Sequence, residues 1–100
     1  MRLSKLEDLF LELLEAHGLP LPRTNIDVGG DKVDCHWEQH GLTVELITFR
    51  YHATRHGFET DNERRRRSHH VPYTYGDIVE RGGATAADVS QRLAQAAAAA

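Results

Sequence analysis

Leucine and phenylalanine recur at three- and four-residue spacing through Leu6, Leu9, Phe10, Leu13 and Leu14, and the run stops at Gly18, just before Pro20. That period predicts an opening helix with one apolar stripe. Ser4 followed by Glu7 forms a capping box at its start, a role for Glu7 that leaves a second, chemical one open. Beyond Pro20 the spacing changes to alternation. Residues 24–28 read as a short strand, Gly29 and Gly30 as a turn, residues 31–37 as a second strand and residues 42–49 as a third, which together make an antiparallel meander. A two-residue turn at Gln39 and His40 sets the register, pairing Trp37 with Leu42, Cys35 with Val44, Asp34 with Glu45 and Val33 with Leu46. One face then collects the apolar residues, and the other takes Lys32, Asp34, His36, Thr43, Glu45 and Ile47. A slip of one residue would destroy this sorting.

The second half of the chain is less regular. Residues 53–67 are polar, with Phe58 the one bulky apolar side chain, and predict a largely exposed helix weakened by Gly57. Residues 71–75 read as a fourth strand, which Pro72, having no amide donor, confines to a sheet edge or an irregular extension. Residues 77–80 suit one helical turn. Gly82 and Gly83 break the chain, and Thr85 with Asp88 starts a last helix whose stripe is Val89 and Leu93. The expected fold class is therefore α/β, a mostly antiparallel sheet of three or four strands flanked by helices. A single domain covers residues 1–95, and residues 96–100 form a poly-alanine tail. With 100 residues the core is thin.

Charge and cysteine usage narrow the setting. The formal net charge of −3 gives no overall attraction to nucleic acid, but Arg64, Arg65, Arg66 and Arg67 form a local block, with Arg50 and Arg55 upstream. Such a block steers a phosphate backbone or serves as a solvated helix face. Cys35, the one cysteine, falls on the apolar face and reads as a buried thiol suited to a reducing compartment. No apolar stretch approaches the roughly 20 residues of a membrane span, and the N-terminus alternates charge with leucine. A soluble cytoplasmic protein without a membrane partner is expected. No heptad demands self-association, so a protein partner or a homodimer stays open.

The chemistry lies in Asp34 and Glu45. Directly opposed carboxylates repel, so the pair costs stability unless a proton, a basic side chain or a cation sits between them. Oxygen-only ligands favour Mg²⁺, Mn²⁺ or Ca²⁺ over zinc. Lys32, on the same face, is the alternative neutraliser. His52 and His56 stand four apart, as zinc-binding histidines on helices do, and His69 or His70 would complete such a set, but the glutamate of a metalloprotease helix is absent. Tyr73 and Tyr75, at alternate positions, cover a core edge more readily than they stack on bases.

A helix, a three-stranded meander, an aspartate on the second strand and a glutamate on the third is the order of endonucleases of the PD-(D/E)XK type. More specifically, the chain resembles the small bacterial proteins related to very-short-patch-repair endonucleases. The resemblance rests on Leu6-Glu7, Val33-Asp34, Val44-Glu45-Leu46, Arg50-Tyr51-His52, Phe58-Glu59-Thr60-Asp61 leading to Arg64, and Tyr73-Thr74-Tyr75-Gly76-Asp77. It implies a restriction-endonuclease-like fold and Mg²⁺- or Mn²⁺-dependent hydrolysis of a DNA phosphodiester. Asp34 and Glu45 become the metal ligands, Glu7 an outlying acid, and His52 an acid/base or phosphate contact. Arg50, Arg55, Arg64 and Arg65 would meet phosphates. Two departures stand out. Ile47 occupies the position where relatives carry a further acid or, in the wider superfamily, a lysine, and Lys32 lies opposite it. The stretch from Arg64 to Tyr73 is also short for the family. Both departures point to reduced activity, and the alternative is a catalytically silent nucleic-acid-binding or protein-interaction domain that keeps the fold.

Overall fold

The computed structural model describes residues 3–47 and 70–99. The first helix, α1 (Leu3–Ala16), ends as its sequence predicts. Gly18 takes a φ of +68°, its N–H reaches Glu15 O at 3.1 Å, and Leu19 N–H reaches Leu14 O at 2.9 Å. This paired closure satisfies two helix-end carbonyls and turns Leu19 back against the core. Strand β1 (Arg23–Val28) meets β2 (Asp31–Trp37) through Gly29 and Gly30, both at positive φ, as a two-residue hairpin requires.

β2 pairs with β3 (Leu42–Ile47) in the expected register, Cys35 with Val44 and Trp37 with Leu42. The connection itself differs from expectation. The turn closes one residue earlier, His40 N–H to Trp37 O at 3.1 Å, and Gly41 at φ +63° leads back into β3. Four connecting residues join the same strand ends that a two-residue turn would, so the faces keep their sorting. The expected extension of β3 to Phe49 and the helix over 53–67 lie outside the described residues.

The sheet order is β1-β2-β3-β4, with β4 (His70–Thr74) on the edge, as Pro72 requires, but parallel to β3. The expectation of a mostly antiparallel sheet is corrected to a mixed one. A parallel return needs a dozen or more intervening residues, and residues 48–69 provide that length.

After β4 come a π-helical turn (Gly76–Glu80) and the last helix, α2 (Gly82–Ala99). The two glycines begin this helix instead of breaking the chain. Thr85 and Asp88 are interior to it: the Thr85 hydroxyl donates to Asp77 O at 2.6 Å, and Asp88 accepts from the Tyr73 phenol and from Arg92 Nε. Gly82 allows close approach to α1, since a Cβ there would lie 3.1 Å from Leu13 Cδ1. No helix among the described residues is long and apolar enough to cross a membrane.

The core sits on one face of the sheet. Cys35, Trp37, Leu42, Val44 and Leu46, with Val71 and Tyr73 of β4, pack against Leu6, Phe10 and Leu14 of α1 and against Val89 and Leu93 of α2. Phe10 is central, edge-on to Trp37 at 6.3 Å between ring centroids and tilted on Tyr73 at 6.0 Å. The Trp37 indole donates to Pro20 O at 2.8 Å, which pins the α1–β1 connection. The opposite face therefore carries the polar residues.

Candidate active site

Strand alternation places Asp34 and His36 of β2, Thr43, Glu45 and Ile47 of β3, and His70 of β4 on the face away from α1 and α2. Asp34 and Glu45 are both half-buried. The β2–β3 ladder ends at Cys35 and Val44, so the strands part just where the two acids stand. There a side chain takes over from the backbone. Leu46 N–H donates to Asp34 Oδ2 at 2.8 Å, which satisfies a buried amide that the ladder has left behind and fixes the direction of the carboxylate.

Glu45 has His70 Nδ1 at 3.7 Å from its Oε1, both side chains being partly buried. The sequence offers His70 only as a member of a zinc set; the parallel entry of β4 brings it beside the glutamate. Glu7 reaches across to the sheet. Its carboxylate accepts from Asn25 Nδ2 at 3.1 and 3.3 Å, across to β1. Asn25 holds a φ of +52° between the paired positions Thr24–Cys35 and Ile26–Val33, which sets it at the strand position across from Asp34. Asparagine tolerates this left-handed conformation better than most residues. Its rarity within strands was the available signal, and sequence reasoning missed it.

The acids leave a mark on Cys35. Burial pushes its thiol up to about 12, and the neighbouring Asp34 and then Glu7 carboxylates add to the rise. Glu7 and Asp34 thus both bear on this point of the sheet, and the thiol remains protonated and inert.

Lys32 stands on the β1 side of β2. It is exposed, lies across from Asp27 and makes no ion pair with Asp34 or Glu45. Ile47 is buried, in register with Thr74. His52, His56, His69, Arg50, Arg55, Arg64 and Arg65 lie outside the described residues.

Among the described residues no group of three His, Cys, Asp or Glu side chains is placed to hold a metal. A closed, protein-only cage of the zinc type is thus not built from them. Two carboxylates are nevertheless the donor set that suits Mg²⁺, which retains several waters and is commonly held by one or two carboxylates together with substrate phosphate. Compared with known proteins, the chain matches no family model, no curated protein and no solved structure.

Proposed function

We propose that this chain is a restriction-endonuclease-like domain that hydrolyses a DNA phosphodiester with a divalent cation held by Asp34 and Glu45. The observation that carries the reading is the pair itself: two half-buried acids on adjacent strands, on one face, where the ladder between those strands stops. The element order supports it, since a helix and three antiparallel strands are followed by a fourth strand parallel to the third.

When bound, Mg²⁺ or Mn²⁺ activates water and stabilises charge on the phosphate under attack. The chain's own contribution is positioning. The Leu46 amide aims Asp34, His70 flanks Glu45, and the Asn25 carboxamide holds Glu7 nearby. By resemblance, His52 stands near the scissile group and Arg50, Arg55, Arg64 and Arg65 meet phosphates.

A plasmid-nicking assay with Mn²⁺ should show activity that falls to the uncatalysed background in Glu45→Ala. Nicking that survives the substitution would belong to a contaminant and remove the enzyme reading.

A second reading, a catalytically silent nucleic-acid-binding domain of the same fold, is favoured by Ile47, whose buried apolar side chain offers no donor. Ile47→Asp decides between them. The variant should lose about 2–5 kcal/mol of metal-free stability, because a packed side chain is removed and a charge is buried. Its melting temperature should nonetheless rise more on adding Mn²⁺ than that of the wild type. An equal or smaller rise would mean that the site accepts no further ligand, and would favour the silent domain.

A further inference from the structure

The end of the β2–β3 hairpin carries a second feature, to which His36 contributes from the face of the acids and Trp37 from the face of the core. Pro20, Leu21, Arg23, His36 and Glu38 line a groove of about 280 Å³. Arg23 and His36 are cross-strand partners, and His36 pairs in turn with Thr43, so the three form a row across β1, β2 and β3. This row lies two residues along the strand from Asp34, about 6.6 Å. Such a spacing is comparable with the step between neighbouring phosphates of a nucleic-acid strand.

His36 is nine-tenths buried, and its Nδ1 is 2.9 Å from the Thr43 hydroxyl, itself buried. Its other ring nitrogen makes no hydrogen bond with any described residue, and His36 is among the residues that line the groove. In the tautomer in which the Thr43 hydroxyl donates to Nδ1, Nε2 carries the proton and can donate it to an anion. Arg23 is exposed and only loosely engaged, 3.7 Å from an equally exposed Glu38. A pair of this kind adds little to stability and is readily exchanged for a phosphate. Leu21, half-exposed beside Pro20, gives the groove an apolar wall.

We infer that this groove is a nucleotide subsite: Arg23 and His36 take the phosphate next to the one at Asp34 and Glu45, and Pro20 and Leu21 face the attached sugar and base. The inference rests on the endonuclease reading and adds the substrate's neighbouring nucleotide to it. Glu38 restrains the subsite by competing for Arg23.

Anisotropy of a fluorescein-labelled single-stranded oligonucleotide, measured in EDTA over a range of salt, tests this without the metal. Arg23→Ala should weaken binding about tenfold and reduce the slope of log affinity against log salt by about one. Glu38→Gln should tighten binding, a gain that a purely structural role for the pair would not give. His36→Gln, which keeps a donor of similar reach, should bind better than His36→Ala, with melting curves confirming that both are folded. Wild-type affinity in Arg23→Ala, or no gain in Glu38→Gln, overturns the subsite. Failure of the wild type to bind the oligonucleotide even at low salt also overturns it, and assigns the groove to a protein partner. The cation site is tested separately by Mn²⁺-induced stabilisation, so loss of one proposal does not remove the other.

Discussion

Phe10→Ala should cost about 3–5 kcal/mol of folding stability, the range found when a buried aromatic is cut back to a methyl group. Phe10 is fully buried and joins three parts of the core, touching Trp37 of β2 and Tyr73 of β4 from its place on α1. Its removal leaves a cavity that neither ring can fill without giving up an anchor, because Trp37 is tied to Pro20 O and Tyr73 to Asp88. A domain of this size has about 5–15 kcal/mol in total, so the variant should be close to its unfolding limit at ambient temperature. Urea titration measures the loss. Glu12→Ala, on the exposed side of the same helix, should change little and serves as the control. A loss below about 1 kcal/mol for Phe10→Ala would mean that α1 is not docked as described.

The second large effect separates the observed contact of Asp34 with the Leu46 amide from its proposed role as a cation ligand. Asp34→Ala strands the Leu46 amide in a buried position, a cost of about 1–3 kcal/mol, and also removes one of the two proposed cation ligands. Asp34→Asn keeps an acceptor oxygen for that amide but loses the charge. Stability should therefore return towards that of the wild type in Asp34→Asn, while Mn²⁺ should raise the melting temperature of the wild type and of neither variant. If Asp34→Asn gains as much from Mn²⁺ as the wild type does, the aspartate is a strand clamp and the cation site is elsewhere. If Asp34→Ala is as stable as Asp34→Asn, the amide contact contributes nothing.

How far the sequence disclosed this arrangement varies with the range of the interactions involved. The α1 stripe and the alternation in β2 and β3 are local patterns, and each places its residues as expected. Even where the hairpin turn closes one residue early, the register survives, because the hydrophobic sorting of Cys35, Trp37, Leu42 and Val44 admits no other. What the pattern could not disclose depends on distant partners. The parallel docking of β4 is set by the length of the crossover and by Val71 and Tyr73 entering the core, and nothing within residues 70–74 specifies strand direction. The α2 start was misplaced for a similar reason: Gly82 faces Leu13 of α1, a contact that makes glycine useful where local propensity reads it as a break. At the candidate site, strand alternation puts Asp34 and Glu45 on one face as expected, but the expected pairings Asp34–Glu45 and Val33–Leu46 are not made, because the ladder ends at Cys35 and Val44 and the Leu46 amide turns to the Asp34 side chain instead. The Asn25 grip on Glu7 was not legible, because it requires a left-handed residue inside a strand.

Cys35 gives the molecule a built-in gauge. It is the chain's only sulfhydryl, it has no exposed surface, and its environment suppresses the thiolate. A maleimide can reach it only while the sheet and α1 separate, so the rate of labelling counts excursions of the native state without an engineered probe. The reporter stands beside Asp34 in the chain. Whatever tightens or loosens the strands around the acids is therefore registered at the sulfur next to them.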